Sequence, residues 1–271
     1  MAEGRPITFL SDYGYEDEFA GVCRAVISQI APEAPLIDLT HGIGRQDVRQ
    51  GAIALANALP LCPPGIHLAV VDPGVGSARR AVAVAVGGED RFLVGPDNGL
   101  LSRAIDRLGG ATAAVDLARS PFRLEPVSAT FHGRDLFAPV AAHLSLGATL
   151  AEAGEAIEPS TLSSLELPEP AIDEARVVAH SIHQDAFGNV TLDLDASMLS
   201  AGPLAPGERL EVRAPDGRFE ALWARTFSDV EPGDILLYED SSGALALSVN
   251  GGSAAGLMNL NPDDEVELRP L

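Results

Sequence analysis

Two different hydrophobic patterns divide the chain. Up to about residue 146, short apolar runs alternate with segments in which apolar residues recur every three or four positions. The apolar runs predict buried strands at residues 7–10, 36–39, 66–71, 81–86 and 91–94. The segments with helical spacing predict helices over residues 17–30, 47–59, 98–108 and 135 to about 146. Strands that alternate with helices favour an α/β sandwich, in which helices cover both faces of a mostly parallel sheet.

The pattern changes after Leu162. Residues 163–172 are rich in Glu and Pro and have no periodicity, which is typical of an interdomain linker. Short β-like segments separated by turn-forming residues follow, at residues 177–182, 190–194, 209–212, 219–225, 235–238, 244–249 and 265–268. This pattern predicts a small antiparallel β-barrel or β-sandwich. We therefore expect an N-terminal α/β domain over residues 1–165, a linker over 166–173 and a smaller C-terminal antiparallel β domain over 174–271.

The charged residues narrow the classes of function. All 18 basic residues among the 271 are Arg, and the 39 acidic residues give a net charge of −21. Without lysine, the chain has no Schiff-base lysine and no P-loop or kinase-type lysine. The acidic balance argues against a general nucleic-acid-binding protein, whose affinity depends on neutralising phosphates. It is compatible with a cationic small-molecule substrate.

The compartment is predicted from what the sequence contains. No N-terminal targeting signal is visible, and every apolar run is interrupted well before the ~18 residues that a membrane-spanning helix needs. Cys23 and Cys62 match neither a disulfide framework nor a zinc-binding spacing, so we interpret them as core residues. We expect a cytoplasmic protein that does not bind membranes.

Two aspartates follow predicted strands, at the edge where open α/β sheets bind ligands. Asp12 comes after the first strand, and Asp72 comes after the third and opens the segment Asp72-Pro-Gly-Val-Gly-Ser-Ala-Arg79. Its glycines would fold a tight loop that brings Asp72 and Arg79 together, and an aspartate beside an arginine stays ionised. The segment lacks the third glycine of a dinucleotide-binding motif. The alternative is an ordinary glycine turn with a solvated aspartate.

Two further polar segments are candidates. His132 lies within three residues of Arg134 and Asp135, which is compatible with a catalytic site, a helix cap or a surface network. A metal site formed by Asp12, His41, Asp72 and His132 is an alternative, but the usual helical spacing of histidines is absent, so we expect no metal. The composition of the segment Asp185-Ala-Phe187-Gly-Asn189 is typical of a β-turn.

Eight short motifs occur in a fixed order along the chain: Phe9-Leu-Ser-Asp-Tyr-Gly14, Asp17-Glu-Phe-Ala-Gly21, Asp38-Leu-Thr-His41, Val71-Asp-Pro-Gly-Val-Gly76 with Arg79, Gly95-Pro-Asp-Asn-Gly99, Thr130-Phe-His-Gly-Arg-Asp135, Asp185-Ala-Phe-Gly-Asn189 and Ser241-Ser-Gly243. Taken together, they resemble the S-adenosyl-L-methionine (SAM) hydrolases, also called SAM hydroxide adenosyltransferases, which share a fold with fluorinase and chlorinase. The resemblance extends from Ile7 to Leu268.

The resemblance implies a fold, an assembly and a reaction. The fold would be an N-terminal α/β domain followed by a C-terminal β-barrel. The protein would be a homotrimer, with each active site between the N-terminal domain of one subunit and the C-terminal domain of its neighbour. The reaction would be hydrolysis of SAM to adenosine and L-methionine, by attack of water or hydroxide at the ribose C5′. SAM would be the substrate, and no cofactor would be needed.

The resemblance also assigns roles to residues. It places the catalytic triad on Asp72, Arg79 and His132, and the acceptor for both ribose hydroxyls on Asp12. The remaining substrate-binding positions are Asp17, Asp185 and Ser241 for the methionine amino acid moiety, Ser242 for its carboxylate, and Phe187 and Asn189 for the adenine, with Asn250 and Gly251 beside them.

There are two departures from the family pattern. Leu192 and Asp193 stand where the family often has Thr-Asn, and Ser242 stands where the halogenases usually carry arginine.

Two other functions remain open at this point. One is a SAM-dependent halogenase, in which halide replaces water as the nucleophile. The carboxylate of Asp72 favours water, because a neighbouring anion repels a halide that must lose its hydration shell. The other is a SAM-binding sensor or structural trimer without turnover.

Overall fold

A computed structural model describes residues 4–88, 90–200 and 202–271 of the chain. The chain forms two compact units, Met1–Leu165 and Glu166–Leu271. Within the described residues, no helix combines the length and the apolar character that crossing a membrane requires.

A seven-stranded mixed sheet forms the centre of the first unit. In chain order its strands are β1 (Ile7–Ser11), β2 (Leu36–Thr40), β3 (Ile66–Val70), β4 (Ala81–Val86), β5 (Arg91–Pro96), β6 (Ala111–Asp116) and β7 (Glu155–Ile157). Their order across the sheet is β2-β1-β3-β5-β4-β6-β7. The predicted α/β class is confirmed. The pairings among β2, β1, β3 and β5 are parallel. Those that join β5, β4, β6 and β7 are antiparallel. Between β4 and β5 the connection is a short turn, which leaves no room for a crossover helix.

Helices cover both faces of this sheet, as the sequence predicts. They are α1 (Phe19–Ile30), α2 (Val48–Ala58), α3 (Ser102–Arg107), α4 (Ala138–Ser145) and α5 (Leu150–Ala153). One buried cluster joins Phe9 of β1 to α1 and α4, and a second joins Leu10 of the same strand to α2 and α3. Successive residues of a strand point to opposite faces, so β1 contributes to both cores.

The helices differ from the prediction at their ends. The side chain of Asp47 accepts a hydrogen bond from the Gln50 amide and caps α2. The helix predicted from Asn98 begins only at Ser102, because the Asn98 side chain accepts a hydrogen bond from the Leu100 amide and holds a turn. The helix predicted from Asp135 is preceded by a π-helical turn, Gly133–Phe137, which runs directly into α4.

A closed barrel of seven strands forms the second unit. Its strands are β9 (Val177–Gln184), β10 (Val190–Asp195), β11 (Arg209–Ala214), β12 (Gly217–Trp223), β13 (Ile235–Glu239), β14 (Ala244–Val249) and β15 (Glu265–Pro270). Strand β10 pairs with both β14 and β9, which closes the barrel around an apolar core. All neighbouring strands are antiparallel except β12 and β13, which are parallel.

In the described part of the second unit, the sequence did not predict a short helix after β14 or a two-residue strand before β9. A short helix, α6 (Ala254–Met258), follows β14 and is capped by the side chain of Ser253. Residues 163–170 have no regular secondary structure, as expected of a linker. The prediction that the linker continues to Ile172 is wrong in one respect, since Ala171–Ile172 forms strand β8 and pairs with β9.

Candidate active site

The loop after β3 brings Asp72 and Arg79 together. Nε of Arg79 donates to Oδ1 and Oδ2 of Asp72 at 2.8 and 3.1 Å, and its NH2 group also donates to Oδ2. The loop is tight at Gly76, whose φ is +77° and where a Cβ would collide with the carbonyl oxygen of Ala129. Only 6% of the Asp72 side chain and 10% of the Arg79 side chain are exposed. The predicted meeting of the two side chains is thus present, and solvent screens it little.

His132 completes this cluster. NH2 of Arg79 lies 2.9 Å from Nδ1 of His132. Because a guanidinium only donates hydrogen bonds, Nδ1 must be the acceptor, and the neutral ring carries its proton on Nε2. Burial, and then the positive charge of Arg79, lower the pKa of His132, which favours this neutral ring.

The two charged residues after His132 have a different part. Arg134 and Asp135 form a bidentate pair with distances of 2.6 and 2.8 Å, and the Ser128 amide also donates to Asp135. This pair closes the loop that carries His132.

Aromatic rings pack near Arg79 and His132. The guanidinium carbon of Arg79 lies 5.3 Å from the ring centroid of Phe137, which is fully buried. Tyr13 and Phe131 meet edge to face at 5.7 Å. A Cβ at Gly133 would collide with the hydroxyl of Tyr13, so a side chain here would require the Tyr13 ring to move.

Asp12 and Asp17 lie in the same cleft as Asp72 and His132. The cleft has a volume of about 450 Å³, and Tyr13, Phe19, Arg45, Gln46, Val70, Val75 and Gly133 complete its lining. Oδ2 of Asp12 accepts a hydrogen bond from the Gln46 amide at 2.9 Å. Burial raises the pKa of Asp12, partly offset by this hydrogen bond. The sequence did not identify Gln46, whose φ of +61° has no signal in the residue type.

His41 takes no part in the cleft lining. Its ring is buried, with Nδ1 at 2.8 Å from the Ser11 hydroxyl and Nε2 at 3.3 Å from Oδ1 of Asp38. The alternative metal site is therefore not assembled as the sequence suggested, since one of its four members turns to another set of partners. In the part of the chain that the structure describes, no three His, Cys, Asp or Glu side chains form a group that could hold a metal ion.

The remaining predicted residues all belong to the barrel unit. The carboxylate of Asp185 accepts hydrogen bonds from the Phe187 and Asn189 amides at 2.9 Å and from the Asn189 side chain at 2.7 Å. This turn leaves Phe187 81% exposed. Oδ1 of Asn189 accepts a hydrogen bond from the Ser248 hydroxyl at 2.6 Å.

The other predicted residues of the barrel unit lie in turns, and Ser242 and Asn250 make hydrogen bonds there. Ser241 and Ser242 lie between β13 and β14, where the Ser242 amide and hydroxyl donate to Oδ1 of Asp240. The Asn250 side chain donates to the carbonyl oxygens of Phe227 and Val230, and Gly251 follows with a φ of +79°.

Ser248 and Tyr238 are linked to the predicted residue Asn189 by hydrogen bonds and were not singled out from the sequence. Burial raises the pKa of Tyr238, and its side chain is hydrogen-bonded to Ser248.

Leu192 and Asp193, which stand where the family often has Thr-Asn, contact other parts of the barrel unit. Leu192 is buried in the barrel core. Asp193 accepts a hydrogen bond from the His180 amide at 2.6 Å, and its Oδ2 lies 2.7 Å from Nδ1 of His180.

Comparisons with known proteins agree over both units. The model of the SAM hydroxide adenosyltransferase N-terminal domain matches residues 7–154, and that of the C-terminal domain matches residues 179–267. The chain is similar to an (R)-S-adenosyl-L-methionine hydrolase of Salinispora tropica, with 48% identity over 268 residues and coverage of 99% of both chains. A fluorinase of Actinopolyspora mzabensis is 28% identical, with 94% of each chain covered.

A solved structure supports the same relationship. A crystal structure of a Thermotoga maritima protein superposes with a TM-score of 0.90 at 33% identity, covering 97% of this chain and 99% of the other. With both family domains matched in order and a relative at 48% identity over the whole length, the chain belongs to the SAM hydroxide adenosyltransferase family.

Proposed function

We propose that this protein hydrolyses S-adenosyl-L-methionine to adenosine and L-methionine. The observation that carries the proposal is the contact of Arg79 with both Asp72 and His132 beside the cleft that Asp12 and Asp17 line. The identities agree with it, because hydrolases of Salinispora tropica, Salinispora arenicola and Thermus thermophilus are 39–48% identical to this chain. A hydrolase of Methanocaldococcus jannaschii is 27% identical and the fluorinase of A. mzabensis 28% identical.

Asp72 and His132 can hold one water molecule between them. Oδ1 of Asp72 accepts one hydrogen bond from Arg79 and Oδ2 accepts two, which leaves a lone pair on Oδ1 for a proton of the water. The Nε2–H of His132 donates to one lone pair of the water oxygen, and the other lone pair faces the ribose C5′. Such orientation supplies roughly 7–11 kcal/mol in well-placed intramolecular reactions.

The reaction balances without a cofactor, because the sulfonium is already a good leaving group. The water oxygen bonds to C5′, the C5′–S bond breaks, and its electron pair makes the sulfur of methionine neutral. Attack by neutral water creates a strongly acidic oxonium, whose proton passes to Asp72. A carboxylate paired with arginine is a weak base, but it suffices for so strong an acid.

The same arrangement discriminates against halide. Chloride and fluoride have no proton to give to Asp72, and each would lose its hydration shell beside a carboxylate. The halogenase alternative therefore lacks support from this cluster.

We further propose a homotrimer in which substrate groups come from two subunits. The support is that the predicted residues divide between the two units: Asp12, Asp17 and the triad belong to the first, while Asp185, Phe187, Asn189, Ser241, Ser242, Asn250 and Gly251 belong to the second. We place the reaction in the cytoplasm, with which two free cysteines are compatible.

Product analysis tests the proposed reaction. Purified protein is incubated with SAM separated into its (S) and (R) sulfonium epimers, with and without high chloride or fluoride, and products are resolved by chromatography. Adenosine and methionine in equal amounts are expected from at least one epimer. Preferential formation of 5′-halo-5′-deoxyadenosine would overturn the hydrolase, and binding of SAM without any product would favour the sensor.

A further inference from the structure

The motif Gly95-Pro-Asp97-Asn98-Gly99 has no part in the reaction as proposed, yet it holds both ends of the loop that carries Asp72 and Arg79. Nδ2 of Asn98 donates to the carbonyl oxygen of Val71 at 2.9 Å. The Asp97 amide donates to the carbonyl oxygen of Arg80 at 2.9 Å. Val71 immediately precedes Asp72, and Arg80 immediately follows Arg79. The consecutive residues Asp97 and Asn98 therefore hydrogen-bond to the two residues that flank the loop 72–79, Arg80 and Val71.

The side chain of Asp97 adds a charged contact at one of these points. Nε of Arg80 donates to Oδ2 of Asp97 at 2.8 Å, and only 5% of the Asp97 side chain is exposed. A charge-assisted pair in so buried a position is short and directional. It aligns Arg80, and with it the backbone that presents Arg79.

Asp97 also holds the segment that leaves the first unit. The Ser163 amide donates to Oδ1 of Asp97 at 2.7 Å, and the Ser163 hydroxyl donates to the main-chain carbonyl oxygen of Asp97 at 3.1 Å. NH1 of Arg80 donates to the hydroxyl of Thr161 at 2.9 Å. The buried carboxylate of Asp97 therefore joins Arg80, at the end of the loop 72–79, to Ser163, in the segment that leads to the second unit.

We propose that Asp97 and Asn98 are positioning residues, which set the place of Asp72 relative to Arg79 and His132. This inference rests on the proposed hydrolase function. Neither residue lines the cleft, so each acts through the loop that it holds. A displacement of about 1 Å in a catalytic group costs up to roughly 10²-fold in rate, so loss of either anchor affects the chemical step.

The test uses Asn98→Ala and the isosteric Asp97→Asn. Asn98→Ala removes the donor to Val71, while Asp97→Asn keeps the shape but removes the charge that pairs with Arg80. Single-turnover hydrolysis of SAM should fall by about 10-fold or more in each variant, with KM within about threefold of wild type. Asp195→Asn is the matched control. Its carboxylate accepts hydrogen bonds from the Ser197 and Met198 amides in the barrel unit, outside the proposed machinery, and its rate should equal that of wild type.

A second readout does not need SAM. Burial, and then the positive charge of Arg79, lower the pKa of His132, whereas the carboxylates of Asp72 and Asp135 raise it. If the loop shifts in Asn98→Ala or Asp97→Asn and Arg79 moves away from His132, the pKa of His132 should rise towards its ordinary value. NMR of the imidazole measures this pKa, and His132→Gln assigns the signal. A role limited to stability would lower Tm and leave this titration unchanged.

The outcomes separate the two proposals. If wild-type protein hydrolyses SAM but both variants keep the wild-type rate and His132 titration, the positioning role is wrong and the hydrolase stands. If wild-type protein forms no product, the hydrolase fails, and the His132 titration alone decides the positioning role. If Asn98→Ala does not fold, Asp97→Asn decides.

Discussion

Arg79 is the side chain on which the candidate triad depends. Its planar guanidinium donates to both oxygens of Asp72 and to Nδ1 of His132, and it lies over the ring of Phe137. A lysine ammonium cannot match this planar arrangement of donors. Because Arg79 fixes the tautomer of His132, Asp72 is the group that takes the proton in the reaction that we propose.

We expect Asp72→Asn to lower single-turnover hydrolysis of SAM by about 10²-fold or more, the usual scale for losing a positioned acid–base group. The amide keeps the shape of the carboxylate but does not accept the proton. SAM affinity should change little, because Asp72 is assigned to the water and not to a polar group of the substrate. Calorimetry and rapid-quench assays of the same preparation give both quantities. A variant with the full hydrolytic rate would remove Asp72 from the chemistry.

Asp12→Ala should act on binding. Two charge-assisted hydrogen bonds to the ribose hydroxyls, at about 1.5–3 kcal/mol each, predict a loss in SAM affinity of about 10²-fold or more. Asp116→Ala removes a carboxylate from the same unit that accepts a hydrogen bond from the Ala118 amide, and serves as the control. Calorimetry that finds equal SAM affinity in wild type and Asp12→Ala would exclude Asp12 from the site.

At the scale of elements, the sequence predicted those whose apolar pattern is strong. Strands β1, β3 and β4 are buried along nearly their whole length and were found within one or two residues. Strand β6 was missed, because Ala-Thr-Ala-Ala-Val-Asp has few β-branched residues and its exposed positions break the apolar run. Strand β7 has only three residues, of which none is buried, and its pairing with β6 gives no local signal.

The elements that carry the site were predicted less well than the core. Asp12, Asp72 and Arg79 were identified as candidates because strand ends and glycine turns have local signals in the sequence. The hydrogen bonds from Asn98 to Val71 and from Gln46 to Asp12 join residues that are far apart in the chain. A single sequence carries no signal for such long-range contacts.

A buried histidine links three strands and makes the first unit sensitive to acid. His67 on β3 lies 2.9 Å from the Thr8 hydroxyl on β1 and 3.4 Å from NH1 of Arg91 on β5. Burial and the charge of Arg91 lower the pKa of His67 to about 4. The unfolded chain binds this proton near pH 6.5, so between about pH 6.5 and 4 it holds more protons than the folded chain. Stability contributed by neutral His67 is therefore complete above that window and is lost as the pH falls through it.

We expect the free energy of unfolding to fall by about 2–3 kcal/mol between pH 7 and 4.5 through His67 alone. His67→Gln keeps a donor and an acceptor but does not titrate, so its urea-unfolding curves should depend less on pH by that amount. Other buried histidines contribute equally to both proteins and cancel in the comparison. The same pH dependence in both proteins would contradict this account.

At the scale of the whole molecule, two features describe how substrate would be met. In our proposal, the net charge of −21 attracts cationic SAM, although salt screens that attraction beyond about 8–10 Å. The predicted substrate residues are divided between two compact units. In our proposal, the groups for one substrate molecule come from two subunits of a homotrimer.

Subunit mixing tests this shared site. Asp72→Ala protein lacks the proton acceptor, and Asp185→Ala protein lacks the carboxylate that organises the turn of Phe187 and Asn189, so each should be inactive alone. In a trimer with sites shared between neighbours, equal mixing and random exchange give about one quarter of sites both intact groups. Activity should rise to about that fraction of wild type, while either variant mixed with itself stays inactive. Mass spectrometry must show mixed trimers. If they form and the mixture remains inactive, each site draws its groups from one chain, and the shared arrangement is wrong.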